Sequence, residues 1–191
     1  MATVLEDGID DDLQAWLEAQ PMFFVASAPS SGGHVNVSPK GYDTLRILGP
    51  YHVAYRDLTG SGAETAAHLN DDGRLTLMWC AFDRPPRIVR AQGRGRLLTP
   101  DSPGFEELDA QLPTLPGARA IVELIADRVS SSCGHSVPLM EIVAERSTLL
   151  RWAEAKDDAQ LATYHAAKNA TSIDGLPALP QRPAHATGPS D

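Results

Sequence analysis

Apolar positions along the chain set the expected elements. Ile9, Leu13, Trp16 and Leu17 recur at helical steps, and Asp10–Asp12 stand in front of them as cap and first-turn carboxylates. A helix running to about Gln20 is predicted, and Pro21 ends it. Met22–Ala28 reads as a buried strand and Pro29–Gly33 as a turn cluster. His34-Val35-Asn36-Val37-Ser38 alternates polar and apolar residues, the period of a half-buried strand. Leu45–Leu48 and Tyr51–Asp57 follow as strands joined through Gly49-Pro50. Ala63, Ala66 and Ala67 favour a helix over Gly62–Leu69, with Ser61 or Thr59 placed to cap it and Asn70–Gly73 to close it. Arg74–Phe82 and Arg87–Leu98 are long β-type runs, and Gly93 and Gly95 predict a bend or bulge in the second. Phe105–Leu112 reads as a short acidic helix and Arg119–Val129 as a strand. Two helices follow, Arg146–Lys156 and Ala159–Lys168.

Six or seven short strands joined mainly by tight turns specify a mainly β, antiparallel barrel with helical additions. The spacing is too short for repeated βαβ crossovers. The expected organisation is an N-terminal helix over 1–20, a barrel over 21–132, a C-terminal helical extension over 133–178 packed on the barrel, and a disordered Pro- and Ala-rich tail over 179–191. No internal repeat is visible.

Charge and composition narrow the function. Sixteen Lys+Arg against 25 Asp+Glu leave a net charge of −9, which argues against non-specific nucleic-acid binding but not against a small anionic ligand. Apolar runs such as Leu75–Phe82 fall short of the ~20 residues that span a bilayer. Met1–Asp12 is acidic and lacks the layout of a secretory signal, so a cytoplasmic protein is expected, with Cys80 and Cys133 as unpaired thiols.

Three stretches carry candidate chemistry. Thr59-Gly60-Ser61-Gly62-Ala63-Glu64-Thr65 follows a strand and opens a helix; the free amides of a first helical turn and three hydroxyls suit an anion. An ordinary glycine turn with an N-cap fits the same residues. Val35-Asn36-Val37-Ser38-Pro39-Lys40-Gly41 puts a proline, which cannot donate to a ladder, beside a cation. The strand is therefore at an edge, at its end, or opened there, and free to meet a planar ligand. Arg90, Arg94 and Arg96 share a strand face by spacing, either as a phosphate-binding stripe or as a solvated side. The six histidines show no zinc-ligand spacing, no metal site is expected, and no acid–base pair or nucleophile elbow stands out, so a cofactor is expected to supply any hard chemistry.

The ordered segments Val35–Gly41, Asp57–Leu69, Leu77–Phe82, Pro86-Arg87-Ile88 with Gly93-Arg94-Gly95, Ser132-Cys133-Gly134, Lys168-Asn169 and Ser172–Pro177 resemble the pyridoxamine 5′-phosphate oxidase-like flavoproteins. The resemblance covers roughly residues 20–178. It implies an FMN-binding split β-barrel, usually a homodimer with the flavin between subunits. Val37, Ser38, Pro39 and Lys40 would lie along the ring system, with Lys40 tuning its charge or meeting the substrate. Thr59, Ser61, Glu64 and Thr65 would hold the phosphate, and Arg87 would reach the flavin across the interface. The resemblance names no catalytic side chain. An oxidoreductase passing hydride to or from a small substrate is the leading expectation; the same fold with a deazaflavin or haem, or a non-enzymatic flavin-binding or sensing protein, is the alternative. Three features depart from the vitamin B6 enzymes. Val35 stands where they carry arginine, Ala63-Glu64-Thr65 where they carry Ser-Arg-Lys, and their C-terminal arginine motif has no counterpart.

Overall fold

The structure, a computed structural model, describes residues 2–180. Its strands are β1 (Thr3–Val4), β2 (Phe23–Ser27), β3 (Asn36–Lys40), β4 (Leu45–Gly49), β5 (His52–Leu58), β6 (Arg74–Cys80), β7 (Ile88–Leu98) and β8 (Ala118–Ser132). Its helices are α1 (Asp11–Glu18), α2 (Glu64–Asp71), α3 (Phe105–Asp109), α4 (Thr148–Glu154) and α5 (Asp158–Lys168). The Asp10 carboxylate accepts from Leu13 N at 2.8 Å and starts α1, whose Leu13 and Leu17 are buried.

All strand pairings are antiparallel, in the order β3-β2-β6-β7-β8-β5-β4, with β1 added on β8. The two ends of that path, β3 and β4, are joined by residues 41–44 alone. So short a link spans less than ~20 Å. The sheet must therefore curl until its ends meet, and the result is a barrel split between β3 and β4. Its interior is a continuous apolar cluster that includes Val25, Val53, Leu77 and Val89. At its centre the Phe23 ring stacks on Trp79 at 5.9 Å and meets Tyr55 edge-on at 5.4 Å, so opposite walls touch. Each such fully buried side chain contributes roughly 1.5–3 kcal/mol.

The bulge predicted in β7 lies instead in its neighbour: Gln92 and Gly93 face Arg128 and Ala126, which leaves Asp127 of β8 as the extra residue. A Cβ on Gly93 would lie 2.2 Å from the Ile125 carbonyl oxygen, so the close approach of β8 requires glycine. Several boundaries differ from expectation. β1 supplies an eighth strand, α1 stops at Glu18, α3 stops at Asp109, and β6 stops at Cys80. The cap of α2 is Ala63, not Ser61 or Thr59, and no side chain caps it. The basic stripe is engaged rather than free, because Arg94 bonds Asp72 and Arg96 bonds Glu123. Cys80 is buried, Cys133 is exposed, and neither is in a disulfide.

After β8 the chain runs without regular structure over 133–147 and then forms α4 and α5. Trp152 and Tyr164 meet at 5.0 Å between these helices, and Asp157 with Gln160 forms a capping box on α5. Leu179, placed in the tail by sequence, is 8% exposed and packs with Ala178, Ala63, Ala66 and Ala67. Residues 181–191 of the expected tail lie outside the described residues.

Candidate functional site

β3 is an edge strand, as Pro39 requires, and its residues alternate between two environments. Val35 and Val37 point to solvent, 73% and 61% exposed. Asn36, Ser38 and Lys40 take the other face. Asn36 Nδ2 donates to Thr65 Oγ1 at 3.0 Å, and Ser38 Oγ donates to Asn36 Oδ1 at 3.0 Å. Lys40 Nζ donates to Asp57 Oδ1 at 2.7 Å, and the other Asp57 oxygen accepts from Arg119 Nε at 2.8 Å. Burial alone would raise the Asp57 pKa; the Lys40 and Arg119 charges outweigh it and hold the carboxyl down at about 2.

Arg119 also shapes the loop between β5 and α2. Its Nη2 donates to the Gly62 carbonyl at 2.9 Å and its Nη1 to Gly60 O at 3.4 Å. Asn169 Nδ2 donates to the same Gly60 oxygen at 2.9 Å. In a trans peptide the N–H points opposite to the carbonyl. Turning the Gly60 and Gly62 oxygens toward Arg119 therefore turns the Ser61 and Ala63 amides away from it. With the first turn of α2, which no side chain caps, they form a group of donors directed away from Arg119 and chemically suited to an anion. Gly60 and Gly62 lack a positive φ, and a Cβ on either would meet nothing within 4 Å. Nothing among the described residues requires glycine at either position, and the space beside both is open.

The remaining residues of this stretch divide by role. Ser61 is exposed. Thr65 is buried and engaged by Asn36. Thr59 Oγ1 donates to Gly117 O at 2.7 Å, so its contact with His165 Nε2 at 2.8 Å has the ring nitrogen as donor. Burial and the Arg119 charge lower the His165 pKa against the pull of Asp57, which favours the neutral ring. Glu64 accepts from Ile173 N at 3.1 and 3.2 Å and so ties the C-terminal segment to α2. Asp174 in that segment accepts from both the backbone and the ring of His34, at 2.8 and 2.7 Å.

Arg87 sits apart. Its guanidinium lies 5.1 Å over the Trp16 ring and its Nε is 3.4 Å from Ser131 Oγ. Two open clefts occur elsewhere, of about 310 Å³ beside Leu17, Met22 and Tyr42, and about 450 Å³ beside Ser27, Arg74 and Gln92. Neither is lined by the 59–65 loop.

Sequence reasoning missed Arg119 and His165 as builders of this site, and Asp57, Asn169 and Asp174 entered only inside longer segments. Arg119 left one signal, a cation just ahead of the apolar run Ala120–Val122 and two residues after Gly117. Asn169 is fully buried, and its Oδ1 has no partner among the described residues. The donors present fit a flavin phosphate through neutral amides and the Ser61 hydroxyl. Arg119 and Lys40 are spent on Asp57 and on the loop carbonyls.

A curled antiparallel barrel with an amide-lined loop before α2 defines a class, and comparison with known proteins identifies it. Residues 9–133 match the family model described as pyridoxamine 5′-phosphate oxidase, and the chain belongs to that family. A curated relative from Aspergillus flavus, the pyridoxamine 5′-phosphate oxidase family protein ustO, is 37% identical over 193 residues, covering 92% of this chain and 78% of its own. Among solved structures, a candidate pyridoxamine 5′-phosphate oxidase of Lactobacillus delbrueckii matches with a TM-score of 0.52 at 19% identity, over 66% of this chain and 97% of its own. A HupZ protein of Group A Streptococcus matches with a TM-score of 0.50 at 16% identity, over 65% of this chain and 99% of its own. At such identities these structures show the shared split-barrel fold.

Proposed function

We propose that this chain binds FMN between two copies of itself and acts as a flavin-dependent oxidoreductase on a small conjugated substrate or on oxygen. The observation that carries the reading is the loop before α2, where the carbonyls of two glycines with open Cβ space are held by Arg119 and Asn169 and the amides that follow them turn the other way. When bound, FMN supplies two-electron hydride chemistry.

The chain's own residues supply the seat. Ser61 Oγ, the Ser61 and Ala63 amides and the first turn of α2 receive the phosphate. Val37, Ser38 and Pro39 offer an edge strand to the ring, and Lys40, anchored by Asp57, holds a cation at that strand's end. Glu64 opposes the phosphate charge at the same helix terminus, and its role is to hold Ile173. The exposed apolar positions Val35, Val37 and Ile125, with Leu139, Met140, Ile142 and Val143 on the 133–147 segment, support a second copy as the covering surface. Arg87 then reaches the flavin from the partner side.

The test adds FMN to the purified protein and records visible absorption and flavin fluorescence. A bound yellow chromophore with micromolar or tighter affinity, on a dimer by sedimentation, is expected. Absence of binding at micromolar FMN overturns the reading. Parallel additions of a deazaflavin and of haem identify a different guest. Bound flavin that neither a nicotinamide donor nor oxygen turns over marks a binding protein instead.

A further inference from the structure

The C-terminal helices lie outside the family match over residues 9–133, yet two of their side chains reach directly into the loop before α2. His165 lies in the last turn of α5 and Asn169 is its C-cap, four residues on. The two therefore project from one side of the helix end. His165 Nε2 donates to Thr59 Oγ1 at 2.8 Å, and Asn169 Nδ2 donates to Gly60 O at 2.9 Å. The Asn169 main chain is fixed as well, since its N–H donates to His165 O at 2.8 Å and its carbonyl accepts from Leu179 N at 3.0 Å.

This matters because the loop cannot hold its own shape. Two of its residues are glycines, which lose the most conformational freedom on ordering, and no side chain caps α2. The direction of the Ser61 amide depends on which way the Gly60 carbonyl points, and Asn169 and Arg119 are the groups that set it. His165 fixes the preceding residue by the same logic, completing the valence of a Thr59 hydroxyl that already donates to Gly117 O.

We propose that His165 and Asn169 are positioning residues that preset the Thr59–Ala63 loop for a ligand's phosphate, making the C-terminal extension part of the cofactor site. The proposal rests on the FMN reading above. It names an origin for phosphate selectivity in a loop without the cations used by the vitamin B6 enzymes.

The test compares FMN with riboflavin, which lacks only the phosphate, by titration calorimetry on the full chain and on Asn169→Ala. FMN affinity is expected to fall about tenfold while riboflavin affinity holds, so that the preference for FMN collapses. Equal losses for both ligands, or an unchanged preference, overturn the proposal. Should Asn169→Ala fail to fold, His165→Phe and His165→Gln serve instead. The first should lose the preference, and the second, keeping an N–H donor, should restore it; equal behaviour of the two overturns the role of His165. A readout without ligand is hydrogen exchange at the Thr59 amide, which donates to Gly117 O at 2.8 Å and should exchange faster in Asn169→Ala and His165→Phe. Unchanged exchange overturns the clamp itself. Wild-type protein that binds neither FMN nor riboflavin overturns the flavin reading, while wild-type FMN preference retained by the variants overturns the clamp alone.

Discussion

Lys40 Nζ and Asp57 Oδ1 stand 2.7 Å apart across the seam of the barrel, tying edge strand β3 to β5 where no ladder of backbone hydrogen bonds runs. Arg119 completes the group from β8, with its side chain and that of Asp57 5% and 4% exposed. Charges this deep hold together only as a set.

Acid should expose that dependence. The Asp57 carboxyl sits at about 2 when folded against an ordinary 3.8. Its ionised form thus favours the fold above pH 3.8, and that share is lost as pH falls toward 2. The share is about 2 kcal/mol. Urea unfolding midpoints measured across this range should fall for wild type and less steeply for Asp57→Asn, in which Asp43, Asp72, Glu123 and Asp174, also held below the ordinary carboxylate range by their partners, keep a residual acid dependence. At neutral pH the same variant, leaving Lys40 and Arg119 without a counter-charge, should lose ~3–5 kcal/mol.

Two glycines make opposite predictions. A Cβ at Gly93 meets the backbone of β8 at 2.2 Å, so Gly93→Ala should lower the melting temperature by about 10 °C or prevent soluble expression. At Gly60 nothing lies within 4 Å, so Gly60→Ala should melt within about 2 °C of wild type while weakening FMN binding severalfold. A thermal scan beside an FMN titration reads both.

Glu64 separates a structural carboxylate from a ligand contact. Its oxygens accept from Ile173 N, and its charge sits at the positive end of α2. Glu64→Gln should keep the fold and tighten FMN about threefold by removing repulsion of the phosphate. A weaker FMN complex in that variant would assign Glu64 to the ligand after all.

The outer face of β3 should report assembly. Val37 is 61% exposed beside the 73% exposed Val35. Val37→Lys should shift sedimentation from dimer toward monomer with unchanged far-UV circular dichroism. An unaltered dimer would move the interface elsewhere.

Local chemistry made much of this molecule legible. Asp10 ahead of an apolar helical stripe, Pro39 on an edge strand and Gly93 facing the bulge in β8 each act through neighbours a few residues away or through backbone sterics, so their residue types announce the outcome. The loop before α2 was placed correctly, but its machinery was not. Thr59 and Ser61 look like caps because hydroxyls in front of a helix usually are. Thr59 is instead taken by Gly117 and His165, and Ala63 holds the cap position. Lys40 reads as a free cation until Asp57 and Arg119 are brought to it by the curl of the sheet. Glu64, read by sequence as a ligand contact, also accepts from Ile173 N of the returning chain, a tie that spacing does not show. These contacts depend on tertiary closure, for which spacing along the chain carries no signal.

The distance in sequence between the loop and its supports has a consequence for biogenesis. Thr59 and Gly60 leave the ribosome about a hundred residues before His165 and Asn169, with separations of 106 and 109. During translation the strands can pair well before the guest's seat takes shape. Setting of that loop is thereby deferred until α5 has been made, and a polypeptide truncated ahead of α5 would carry paired strands around a loop still without its two supports.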